Sequence, residues 1–596
     1  MKKIYLLLFL AFQLLISCNN DSNNQRNSAS NQELNNLFDQ YHTDFLNFSP
    51  ISATYEGDST HNAQLTIDFT DGFRSELKSF LTSYLDKLHQ FDTNQLNEND
   101  FLSYQVFQDQ LSTSLEELSF NSNLIPINQF WGLHQTMVQL GSGQGAQPFK
   151  TVKDYNDWVS RATIFSAWID SAIVYFNKGI QSNITLPKIL VEKLIPQLTD
   201  VSAVAYNKSE FYGPIKNFPK NFSESDKKEL TLKYTNLIKN QLNPAYQKLA
   251  NYLKNDYLKS ARTSSGINAL PNGESYYKFL VRQSTTTNKT PQEIYEIGLS
   301  EVARIRGLME GLAPKFNYKG DLLGLFEYLN NKDPKNKPFK TPKQVIAAFK
   351  DIQKIIEPHL KDKFSIFPKT PFEIRRTEAF REKTASAEYN QGSPDGKRPG
   401  IFYVPILDAK NFTITSGMQS LFLHEAIPGH HFQISIQQED TTLPKFRRFG
   451  GYNAFAEGWA LYCESIGKEL GCYEDPYQYM GALGDEMHRA IRLVVDVAIH
   501  TGKMNRDEAL KYMIENEPIS LEGATAEIER YMVIPGQALG YKIGALKIRE
   551  LRNNYEKQLG TKFSIIGFHD NILKGGCLPL TILETKMDKW ANAQAK

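Results

Sequence analysis

Apolar residues recur at three- and four-residue spacing along most of the chain, most clearly in 33–47, 73–91, 101–118, 153–179, 224–254 and 291–313. That is the period of helices with one face turned to a core. Strand-like patterning is scarce, and GIFYVPIL (400–407) is the best candidate. Breakers gather in GSGQGAQP (141–148), GINALPNGE (266–274), NNKDPKNKP (330–338) and YNQGSPDGKRPG (389–400), where glycine, proline or asparagine lets the backbone leave a helix. These predict loops, the last of them the expected rim of an active site. No repeat of solenoid period is present. The pattern therefore predicts a mainly α fold, a large helical body with few short strands. It divides coarsely into an N-terminal helical half, 33–270, and a C-terminal half, 271–596, without a strong linker.

The first residues depart from this pattern. In MKKIYLLLFLAFQLLISC, two lysines precede a short apolar run that ends at Ile16-Ser17-Cys18, which reads as a signal peptide over 1–17 and is too short for a spanning helix. The small residue before Cys18 resembles a bacterial lipobox, so Cys18 is the expected lipidation site. Residues 18–32 have almost nothing apolar to bury and read as a flexible tether. The expected location is the bacterial cell envelope, anchored to a membrane by lipid at its periplasmic or cell-surface face, with no other membrane contact.

Composition narrows the picture further. With 67 Lys+Arg against 66 Asp+Glu the formal net charge is +1, so no bulk electrostatic footprint points to nucleic acid. Cys463, Cys472 and Cys577 are the cysteines left after Cys18, an odd number without a Cys-x-x-Cys pair, which argues against both a disulfide framework and a thiolate zinc site.

Candidate chemistry is concentrated in QSLFLHEAIPGHHFQ (419–433). A zinc peptidase helix ordinarily carries histidines at i and i+4 with a glutamate beside the first as general base. Here the i+4 position is Pro428. In a regular helix His430 would lie about 9 Å along the axis and roughly 240° around from His424, too far to share an ion whose ligands each stand about 2 Å away. A bulge or break at Pro428-Gly429 could swing His430 or His431 back beside His424. A further ligand is available in GGYNAFAEGWALYCESIGKEL (450–470), where Glu457 sits among apolar residues that make an unpaired carboxylate costly. Glu464, two turns later on the same face, is expected behind the ligands. Glu425 is the expected base.

Two further stretches offer polar groups. Arg492, Asp496 and His500 recur every fourth residue on an apolar helix, and Tyr531, Gln537 and Tyr541 flank Pro535-Gly536. Tyr541 and His500 are the expected donors to a developing oxyanion, with Arg492 reserved for Asp496 or a substrate carboxylate.

These motifs, together with RLVVDVAIH (492–500), PGQALGYKIG (535–544) and LPLTILE (578–584), resemble the bacterial domain-of-unknown-function 885 family, whose members look like helical metallopeptidases of the gluzincin type. The resemblance implies a deep cleft, one Zn2+ held by His424, His430 and Glu457, and Glu425 as base, with His431 either the rival to His430 or a neighbour beside the substrate or behind the ligands. The expected function is zinc-dependent hydrolysis of short peptides, by exo- or oligopeptidase action. A lipid-anchored peptide- or metal-binding protein without turnover and a zinc amidohydrolase acting on another amide are the alternatives.

Overall fold

A computed structural model describes residues 29–378, 382 and 385–596. The expected signal segment and Cys18 lie outside these residues. Helix makes up 68% and strand 3%, so the fold is mainly α, as the spacing of apolar residues predicts.

Helices start where side chains can satisfy the free N–H groups of a first turn. Thr151 and Thr290 each accept from the N–H three residues on, while Asp154 and Glu293 reach back, and Pro291 fills a position whose missing N–H costs nothing. The stretch 224–254 departs from a single helix. It forms Glu224–Leu237 and Asn243–Asn255, joined by a π turn at Ile238–Leu242 just before Pro244, which has no N–H to continue the ladder.

Helices Val152–Gln181, Lys188–Ala203 and Asn243–Asn255 bury Trp158, Phe165, Leu194 and Tyr246 in one core of the N-terminal half. In the C-terminal half seven helices frame the motif: α1 (Pro291–Leu312), α2 (Met418–Glu425), α3 (His430–Glu439), α4 (Asn453–Ser465), α5 (Pro476–His500), α6 (Leu521–Tyr531) and α7 (Leu539–Leu559). The expected strand is β3 (Gly400–Val404), central in a three-stranded sheet between parallel β1 (Phe372–Arg376) and antiparallel β2 (Glu388–Asn390). Phe402 of β3 packs edge-on against Phe349 of helix Pro342–Leu360, which joins the sheet to the core beneath α2.

That core contains Phe422, Leu423, Phe455 and Trp459, all fully buried. Each contributes roughly 2 kcal/mol by leaving water, so α2 and α4 are fixed by packing before any polar contact is considered. Helix α4 also meets α7 backbone to backbone. A Cβ added to Gly458 would stand 2.6 Å from Gly544 Cα, and one added to Gly544 would stand 1.9 Å from Ala454 O. The crossing therefore requires glycine on both helices, one residue beyond Glu457.

Candidate metal centre

The break in the motif is real and local. Helix α2 ends at Glu425, Ala426 leaves helical dihedrals, the Ile427–Pro428 peptide is cis, and α3 begins at His430. Gly429 passes so close to the preceding turn that a Cβ there would lie 1.9 Å from His424 O, which no side chain tolerates. The break is secured from α4: Trp459 Nε1 donates to Pro428 O at 2.8 Å, and Cys463 Sγ lies 3.5 Å from the same oxygen. The segment bearing the histidines is thus tied to the helix bearing Glu457.

This folding brings His424 and His430 together as perpendicular rings with centroids 4.6 Å apart. Glu457 Oε2 lies 3.3 Å from His424 Nε2 and 3.6 Å from His430 Nε2, and the three candidate ligand atoms all fall within 4.8 Å of one another. Donors each about 2 Å from a tetrahedral ion stand roughly 3.3 Å apart, so this triad fits a divalent metal. Glu464 Oε1 accepts from His424 Nδ1 at 2.7 Å, which puts the ring proton on Nδ1 and leaves Nε2 turned to Glu457. His430 Nδ1 is buried without a hydrogen-bond partner.

The electrostatics point the same way. Burial alone would lower the pKa of His424, but the Glu457 and Glu464 carboxylates outweigh it and raise the value well above the ordinary range. Burial would raise Glu457, yet the two histidines hold it well below the usual carboxylate range. A pocket that draws a proton onto an imidazole this strongly also draws a cation. Glu425, next to His424 and buried, is shifted up by burial against the opposing pull of His424 and His430.

The neighbouring histidine is placed elsewhere. His431 Nδ1 is 2.9 Å from Tyr389 OH, and its ring packs on Phe372 of β1, so it supports the sheet, and burial pushes its pKa down to about 4. The 389–400 segment meets the motif through this Tyr389 contact and supplies none of the three clustered ligands.

The stripe on α5 also differs from expectation. Arg492 does not meet Asp496. Its Nε donates to Tyr531 OH at 2.9 Å, its Nη2 to Glu527 at 3.1 Å, and the guanidinium lies 4.9 Å from the Tyr541 ring. Asp496 instead accepts from Tyr277 OH at 2.6 Å and from Gly536 N at 3.0 Å, and burial pushes its pKa up to about 7. His500 is not available as an oxyanion donor. Its Nδ1 accepts from Ile267 N, its Nε2 donates to Tyr531 O, and the ring packs against Tyr277 in the core. The stripe fails as a cleft wall because its lower half faces the packed segment around Ile267 and Tyr277.

Tyr531 is almost fully buried, with its hydroxyl donating to Glu527. Gln537 accepts from Arg530 at 2.7 Å, and its main-chain oxygen receives Asn453 Nδ2, which anchors the first residue of α4. Tyr541 lies on α7 one turn before the glycine crossing, held by Arg492. Sequence reasoning missed Trp459, His488, Arg489 and Glu527. Trp459 carried a signal, since an indole N–H in an apolar run must find an acceptor. Glu527 carried none, because only the packing of α6 on α5 brings it to Arg492 and, at 3.5 Å, to His488.

The chain belongs to the family described as bacterial protein of unknown function (DUF885), which matches residues 50–587. It is similar to a solved structure from Colwellia psychrerythraea, described as a candidate lipoprotein, at 27% identity and TM-score 0.86, covering 95% of this chain and all of the other. A second structure, from Shewanella oneidensis and described as a candidate lipoprotein of unknown function, shares the fold at 18% identity and TM-score 0.75, covering 94% of this chain and all of the other. No curated protein matches. Among the described residues no helix is long and apolar enough to cross a membrane.

Proposed function

Taking that family membership as the starting point, we propose that the chain is a zinc-dependent peptidase that cuts short peptides outside the cytoplasm, anchored by lipid on Cys18. The observation that carries this reading is the convergence of His424 Nε2, His430 Nε2 and Glu457 Oε2 across a helix break, directly beside Glu425. These three residues would hold the ion, and Glu464 would fix the tautomer of His424 from behind. When bound, zinc would supply Lewis acidity to a water and to a peptide carbonyl.

The remaining work falls to the protein. Glu425, whose burial raises its affinity for a proton, can as the carboxylate take a proton during attack and return it to the departing amine. Tyr541, whose ring lies 4.9 Å from the Arg492 guanidinium, would be the donor to charge developing on the carbonyl oxygen. The decisive experiment is Glu425→Gln on purified protein. Bound zinc should stay stoichiometric while hydrolysis of a short-peptide library falls by about 10²–10⁴. Full activity with full zinc would overturn the assignment, and binding of peptides without hydrolysis by the unaltered protein would favour a non-catalytic receptor.

A further inference from the structure

A cavity of about 490 Å³ lies between α1, α4, α5 and α7, and Glu464 forms part of its wall. Its charges do not cancel. Glu301 and Glu486 are each matched by Arg304 and Lys542: Lys542 Nζ lies 2.9 Å from Glu301 and 2.6 Å from Glu486, and Arg304 bonds both carboxylates. Glu464 is engaged by His424. Arg489 has Asp485 within ion-pair distance at 3.5 Å and is also held by the charge of Glu464, and its Nε is buried with no hydrogen-bond partner.

Two cations on the same wall are left over. Lys468 Nζ stands 4.0 Å over the Tyr479 ring, and Arg549 Nη2 donates to Ser465 Oγ at 2.5 Å while its guanidinium lies 4.9 Å from the Tyr462 ring. Among the described residues neither has a carboxylate within ion-pair distance. Lys468 and Ser465 are exposed, whereas Glu464 and Lys542 are buried, so the uncompensated charge sits at the mouth above a closed floor. Leu308, Leu461, Leu483 and Leu546 give the lining an apolar part, beside Tyr473 and Tyr479.

We propose that this cavity is a binding site for a small organic carboxylate, with Lys468 and Arg549 meeting the anionic group and the leucine-rich wall taking its carbon skeleton. An inorganic anion would leave the apolar wall in contact with water, and an uncharged molecule would leave the two cations unmatched. The volume falls in the range of small-molecule pockets. The ligand would rest against Glu464, one hydrogen bond from His424, so this site borders the candidate metal centre without depending on any catalytic activity there.

The test is calorimetric titration of the full mature chain with N-acetyl-leucine, its uncharged amide and inorganic phosphate, before and after treatment with a chelator. N-acetyl-leucine should bind saturably in both states, and the amide and phosphate at least tenfold more weakly. Lys468→Ala with Arg549→Ala should weaken the carboxylate at least tenfold. Lys254→Ala with Lys259→Ala, the same charge change on exposed residues elsewhere, should leave it unchanged. Absence of binding, equal binding of the amide, survival of binding in the Lys468/Arg549 variant, or loss of binding on chelation would each overturn the proposal. None of these results bears on whether Glu425 acts in hydrolysis.

Discussion

Two regions of the C-terminal half hold buried histidines and carboxylates, and they finish their bonding in opposite ways. Around His500, both ring nitrogens are taken by main-chain groups, and Asp496 receives a tyrosine hydroxyl and a backbone N–H. Around His424, two imidazole nitrogens and a carboxylate face one another, and His430 Nδ1 meets nothing. Residue types are alike in the two places, although His430 and Glu457 are only partly buried where His500 and Asp496 are fully so. The difference is unspent bonding capacity, and that separates a place to hold a ligand from a polar strut inside a core.

The comparison breaks most sharply at the metal. Glu457→Ala should weaken zinc binding by more than about 100-fold, and Glu464→Gln by roughly 10–100-fold, because it removes only the partner that orients His424. Zinc titration by calorimetry checks both, and unchanged affinity in Glu457→Ala would remove the triad from consideration. A smaller but opposite pattern is expected at the strut. His500→Ala should cost about 2–4 kcal/mol of stability, by leaving Ile267 N and Tyr531 O unpaired around a cavity, while zinc affinity stays the same. Urea denaturation read beside the zinc titration tests the two together.

The smallest effect is a pH slope. Asp496 is raised from 3.8 to about 7 by burial, so the folded chain holds a proton there that the unfolded chain has released. Its stabilising contribution is complete below about 4 and is lost as pH rises through about 7. Asp496→Asn should therefore lose less stability between pH 5 and pH 7 than the unaltered protein, measured by urea midpoints. An identical slope in the two would show that Asp496 does not titrate in this window.

The sequence made the helical body legible because the three-four spacing is a local property of each helix. The need for a break at Pro428-Gly429 was legible too, since a regular helix could not bring His424 and His430 to one ion. Which histidine would turn inward was not, because that depends on how Trp459 seizes the Pro428 carbonyl from a separate helix. Glu457 could be read from the cost of burying it. The partner of Arg492 could not, since Glu527 lies 35 positions on and reaches it only through the packing of α6 on α5. Four-residue spacing placed Arg492, Asp496 and His500 on one face of a helix, but it carried no information about which neighbour that face would meet. The cavity beside Glu464 is assembled from four helices and has no local signature at all.

The glycine pair at the crossing of α4 and α7 has a consequence for drift. With main chain resting on main chain at Gly458 and Gly544, the seat of Glu457 is set by a spacing that no side chain mediates. Neighbouring positions can change size over generations while the carboxylate stays registered, so descendants could diversify what they recognise without relocating the group that grips the ion.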